Sequence, residues 1–108
     1  MKKVVFHVDE MDKWNLTMTN ATNFYDQVEG ADIAIVANSE AVNFLDITQH
    51  DLDRLRDLQD KGIKLYGCKI AMRNLNFNME NLLKDVTLVS GVVELAKKQA
   101  EGYAYIRP

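Results

Sequence analysis

The segment KLYGCKIAMRNL, from Lys64 to Leu75, holds the chain's single cysteine, Cys68. An apolar, strand-like run stops at Gly67, and a helix-like pattern follows it. A cysteine at such a junction has a chemical use. Unpaired backbone N–H groups at a helix start and the positive end of the helix dipole favour an anion, and the thiolate is the nucleophilic form of the side chain. Lys69 and Arg73 add positive charge within about the first turn, and Gly67 is expected to keep side-chain bulk away from the sulfur. A plain structural role competes with this one: free cysteine is among the residues most often buried, and is then inert.

His7 and Asp9 fall at the end of an earlier apolar run and are predicted to share the sheet edge of Cys68. A histidine there can pair with a thiolate or donate a proton to a leaving sulfur; equally, it can be satisfied by backbone at a strand end. Glu10 and Trp14 follow and are candidates to line the same cleft, Trp14 with core packing as the competing role. Asn38, at the end of the second apolar run, either binds a ligand or caps the next segment. His50 is read as solvated loop, and the methionines as core. The ligand-binding candidates are therefore Asp9, Glu10, Asn38 and Lys69, around a catalytic set of Cys68, His7 and Arg73. No cofactor or metal is expected. The first strand lacks a glycine-rich phosphate loop, no nucleophile elbow is present, and two histidines and one cysteine far apart make a poor metal set.

The elements that must position these residues follow from hydrophobic period. KVVFHV (Lys3 to Val8) and DIAIVA (Asp32 to Ala37) are short β-branched, apolar runs, as in strands covered on both faces. Trp14, Met18, Ala21, Tyr25 and Val28 step by four and three along one helix face that ends at Gly30. NSEAVNFLD is a short helix or loop. Leu52, Leu55 and Leu58 mark a second helix, with Thr48 as its cap and Gly62 as its stop. IKLYG is the third strand and VTLV (Val86 to Val89) the fourth. Ser90 caps a helix through Ala100, Gly102 ends it, and YAYI (Tyr103 to Ile106) closes the chain as a strand. Strands alternating with helices imply βαβ crossovers and a mostly parallel sheet. The expected fold is an α/β single domain over residues 1–108: a three-layer α/β/α sandwich with five strands.

The 108 residues carry a net charge of −3, with 47% hydrophobic and 27% charged residues. The pI near 5.3 and the lack of a basic stretch argue against nucleic acid as a partner. Asp9 and Glu10 cut the first apolar run too soon for a signal peptide, and nothing approaches a membrane span. Asn15-Leu16-Thr17 and Asn20-Ala21-Thr22 are read as chance glycosylation matches. A free thiol fits a reducing cytoplasm.

The chain also resembles the DsrE/DsrF-like family of small sulfur-relay proteins. The likeness lies in VVFHVDE with Trp14 following, IVANSEAV, GIKLYGC and the closing SGVVELAKKQAEGYAYIRP. The resemblance implies the α/β/α fold with a five-stranded parallel sheet, assembly into trimers or hexamers, and a cysteine after the third strand that carries sulfur as a persulfide. Cys68 matches that position, and Arg73 matches a basic residue one turn beyond. The chain departs from the pattern in NLNF after Arg73, where relatives often have a glycine, and in lacking a second nearby cysteine. The function so implied is a cytoplasmic sulfur carrier or sulfurtransferase-like protein with donor and acceptor proteins as partners. The alternatives are a non-catalytic oligomeric binding module, with a cleft near His7, Asn38 and Cys68, and a flavodoxin-like electron carrier. A short chain leaves little helix to cover two sheet faces, so a homo-oligomer is expected, with Tyr103, Tyr105 and Ile106 as interface or closing-strand residues.

Overall fold

The computed structural model describes residues 2–49 and 52–108; His50 lies outside them. Five strands form one sheet in the order β4-β3-β2-β1-β5, and every neighbouring pair is parallel. β1 is Lys3–Val8, β2 Asp32–Ala37, β3 Lys64–Cys68, β4 Thr87–Val89 and β5 Ala104–Ile106. Between them lie α1 (Trp14–Gln27), α2 (Asp53–Asp60), α3 (Lys69–Asn74) and α4 (Gly91–Ala100), with a 3-10 stretch over Ser39–Leu45 in place of a helix between β2 and α2. The α/β architecture expected from the sequence is the observed one. Its third strand runs one residue further than expected, so that Cys68 ends β3 and also occupies the N-cap position of α3.

Connectivity dictates which face each helix covers. From β1 to β4 the chain steps in one direction, and right-handed crossovers put all the intervening helices on one face. The return from β4 to β5 runs the other way, so α4 alone covers the opposite face. The packing follows. On the first face Val4, Phe6, Val8, Ile33, Ile35 and Leu65 meet Trp14, Met18, Leu55, Leu58 and Met72 in one large buried cluster. On the α4 face a small one joins Val5, Ala34, Val36 and Leu95, flanked by Tyr66 and Tyr103.

α1 buries Trp14, Thr17, Met18 and Ala21. Tyr25, expected on that stripe, is exposed, and Val28 lies beyond the helix. Trp14 belongs to the core: its Nε1 donates to the Ala41 carbonyl at 2.9 Å, and its ring stacks on Phe44 at 4.8 Å. Thr48 does not cap α2; its backbone N–H and its hydroxyl both donate to Asp46 Oδ1, and Leu52 holds the N-cap position. Ser90 holds that position on α4 without a side-chain bond. α1 ends at Gln27, three residues before Gly30, whereas the stops of α2 and α4 are as expected. Gly62 (φ +83°) and Gly102 (φ +93°) each turn left-handed, and Ile63 and Tyr103 donate back to the carbonyls of Leu58 and Lys98. This double closure ends α2 and α4 and aims the chain into β3 and β5. Met18 and Met72 are core as expected, whereas Met79 is exposed. Among the described residues no helix is long and apolar enough to cross a membrane.

Candidate functional site

In a parallel sheet the strand ends open a crevice where successive connections leave for opposite faces. Here that place lies between β3 and β4: the chain leaves β3 toward the large core through Met72 and leaves β4 toward the other face through Leu95. Cys68, paired with Val89 of β4, sits at this divergence.

Alternation along the strands puts Cys68, Asn38, His7 and Tyr105 on the α4 side. Asn38 follows β2 and is held to β1 by its backbone N–H, which donates to the Val8 carbonyl at 3.1 Å. Gly91, the first residue of α4, closes over both side chains. A Cβ there would stand 3.0 Å from Asn38 Cβ and 3.3 Å from Cys68 Cβ. The hydrogen on Gly91 is therefore what leaves room for the Asn38 and Cys68 side chains. Gly67, to which the sequence assigned that task, serves the opposite face, where its missing side chain admits Met72 and Leu45.

Cys68 is 8% exposed and packs at the margin of the large core. The helix-start bond expected for its sulfur is not made: as N-cap of the six-residue α3 it has no side-chain bond to the helix amides. Polar groups reach the site instead from β1 and β5. His7 Nε2 lies 2.9 Å from Asn38 Oδ1, and His7 Nδ1 lies 2.6 Å from Tyr105 Oη. Asn38 does not cap the following turn with its side chain, because its carbonyl oxygen is engaged by His7.

The remaining candidates disperse. Asp9 turns to the chain end and pairs with Arg107 at 3.0 Å. Glu10 is exposed at the head of the Met11–Lys13 turn. Lys69 and Arg73, one turn apart on α3, line a cavity of about 500 Å³ with Met72, Asn76, Phe77 and Met79. The structure thus joins Cys68, Asn38 and His7 and adds Tyr105, which sequence reasoning placed only in a strand or an interface. The signal for Tyr105 was alternation: it pairs through Val5 with the same face of β1 that carries His7. Among the described residues no group of three or more His, Cys, Asp or Glu could hold a metal ion.

A second polar cluster lies further down the same face. Lys98 pairs with Glu94 at 3.2 Å and stands over the rings of Tyr66 at 4.7 Å and Tyr103 at 5.0 Å. Burial works against the Lys98 charge, but its bonds to Tyr66 and Glu94 outweigh that and hold its pKa above the ordinary value. The Tyr103 hydroxyl donates to Asp32 Oδ2 at 2.6 Å, and burial together with that carboxylate pushes it up to about 12. Every member has its partner inside the protein, so the cluster fastens α4 to the sheet rather than waiting for a ligand.

The model of the DsrE/DsrF-like family matches residues 2–108. The chain belongs to the DsrE/DsrF-like family. Among solved structures, the protein of unknown function MTH1491 from Methanobacterium thermoautotrophicum has a TM-score of 0.93 at 32% identity, with 100% of both chains covered. The ychN protein from E. coli has a TM-score of 0.84 at 18% identity, again over 100% of both chains. BT1422 from Bacteroides thetaiotaomicron has 0.77 at 15%, covering 99% of this chain and 95% of its own. The last two share the DsrE-like fold with this chain. No curated protein matches it.

Proposed function

We propose that this DsrE/DsrF-like protein is a sulfur carrier of the cytoplasm, holding a persulfide on Cys68. One observation carries the proposal: in a chain of this family, the single cysteine stands at the carboxyl end of β3, where the β3 and β4 connections part, beside the Asn38 amide and under the side-chain-free Gly91. The Cys68 thiolate attacks the outer sulfur of a donor hydropersulfide. A sulfur–sulfur bond forms to Cys68, the donor's own sulfur–sulfur bond breaks, and the donor thiolate departs with the electron pair. Cys68 is left as a hydropersulfide, which an acceptor thiolate relieves of its outer sulfur by the same displacement. Polysulfide and persulfide donors are anions, and Lys69 and Arg73 on the helix after Cys68 supply positive charge to attract them.

The partners in this proposal are donor and acceptor proteins and further copies of the chain, a trimer or hexamer. Assembly is supported by apolar side chains that α4 leaves in solvent, Val92 and Val93 being 72% and 64% exposed. Gel filtration should give a mass well above 12.3 kDa; a monomer at working concentration contradicts assembly.

Incubation with polysulfide followed by intact-mass measurement should add one sulfur to the wild type and none to Cys68→Ser. Equal gain in both removes the carrier site from Cys68. The 8% exposure of the thiol favours a second role, a non-catalytic oligomeric module that binds a small ligand or a partner's tail near His7, Asn38 and Cys68. Thiol titration separates the two: fast alkylation with a lowered pKa belongs to the carrier, slow alkylation near the free-thiol value to the module.

A further inference from the structure

We propose that Tyr105 is a positioning residue for the Cys68 site, acting through His7 and Asn38; this rests on Cys68 being the reactive sulfur. Four consecutive strands of the sheet contribute one group each: Tyr105 from β5, His7 from β1, Asn38 from the end of β2 and Cys68 from β3.

The hydrogen placement follows from the Asn38 end. Its Oδ1 only accepts, so the hydrogen in the 2.9 Å contact belongs to His7 Nε2. A neutral imidazole protonated at Nε2 has a lone pair at Nδ1, and the Tyr105 O–H donates into it across 2.6 Å. Tyr105 thus selects one histidine tautomer, and that tautomer selects one orientation of the Asn38 amide. With Oδ1 turned to β1, the Nδ2 amine is left on the side of Gly91 and Cys68. A Cβ on Gly91 would lie 3.5 Å from Asn38 Nδ2 and 3.3 Å from Cys68 Cβ.

In this proposal the Asn38 amine, left on the Cys68 side and not bonded to the sulfur in this structure, becomes the donor to the thiolate and persulfide anion, which the short α3 does not bind through its amides. Such donors, fixed before the reaction, stabilise the thiolate and the persulfide anion more than mobile water does. His7 acts through the amide and not as a proton donor to sulfur, because its Nε2 hydrogen is committed to Asn38.

Two readouts test this, neither requiring sulfur transfer: the His7 tautomer by 15N NMR, and the rate of Cys68 alkylation by iodoacetamide at neutral pH. Tyr105 is 41% exposed, so Tyr105→Phe removes one hydroxyl from a folded protein, which circular dichroism verifies. Wild type should show the Nε2–H tautomer. Tyr105→Phe should show mixed tautomers and alkylate roughly tenfold more slowly, the scale of one hydrogen bond to a charged group. Asn38→Asp, which keeps an acceptor for His7 and loses the amide donors, should be slowed similarly with the tautomer intact. Three results overturn the proposal: a Tyr105→Phe rate equal to wild type, a slowed rate with the wild-type tautomer retained, or an Asn38→Asp rate equal to wild type. If wild type takes up no sulfur from polysulfide yet these variants behave as expected, the carrier role fails while the positioning of the thiol stands.

Discussion

The two faces of the sheet solve different problems. The face under α1, α2 and the 39–45 stretch is a continuous apolar cluster, with Phe6, Trp14, Met18, Leu45 and Leu65 all at 2% exposure or less. The α4 face has four buried apolar residues, an ion pair, three tyrosines and the Cys68 site. Close packing on one side is where stability resides, and the half-covered side is held by hydrogen bonds and an ion pair. Cys68, the proposed sulfur carrier, stands at the margin where the two meet.

The largest expected effect tests whether stability is that unequal. Trp14→Ala should cost about 4 kcal/mol in denaturant unfolding, through lost burial, a cavity and the lost bond to Ala41, whereas Leu95→Ala under α4 should cost about 2 kcal/mol. Equal costs would mean that the faces are not distinct. Next comes the ion pair, whose side chains are 10% and 11% exposed. Lys98→Met alone should cost about 2 kcal/mol because it leaves the Glu94 carboxylate nearly buried and unpaired, while Lys98→Met with Glu94→Leu should recover most of it. A double variant as unstable as the single one would show that the charges themselves hold α4 down.

A smaller effect appears with alkali. The Tyr103 pKa rises from its ordinary 10.0 to about 12 on folding, so the folded state keeps that proton longer than the unfolded chain. The associated stability is complete below about pH 10 and is lost as the pH climbs toward 12. Lys98, also raised, adds a loss of the same sign. Melting temperature should fall over this range, and Tyr103→Phe should flatten the fall; an unchanged slope would detach Tyr103 from the stability of this face. The smallest effect is at the rim. Arg107→Ala removes a pair whose side chains are 56% and 26% exposed, and should stay within about 0.5 kcal/mol by the same unfolding measurement.

Much of the fold was legible because local pattern and tertiary demand coincide. The bounds of β1 and β2 follow from apolar runs that only a doubly covered strand accommodates, and Gly62 and Gly102 stop their helices because the left-handed closure favours glycine. Expectations failed where a side chain had two local uses. Thr48 is a good cap by type but bonds to Asp46 instead, Ser90 takes the N-cap position of α4 without a side-chain bond, and Asn38 gives its carbonyl oxygen to a histidine 31 residues away. The position of Cys68 at a strand end was readable; its lack of a helix-start bond was not, since α3 proved only six residues long.

By itself the sequence determined the alternation of strands and helices and the single thiol at the junction of the third strand with a helix, because period and punctuation are local properties. Only the tertiary structure decided that β5 lies against β1, since strand order depends on the sense of each crossover and not on any residue in the strand. That placement brings Tyr105 to His7 across 98 residues of chain, and it gives the site a polar wall that no local pattern encodes.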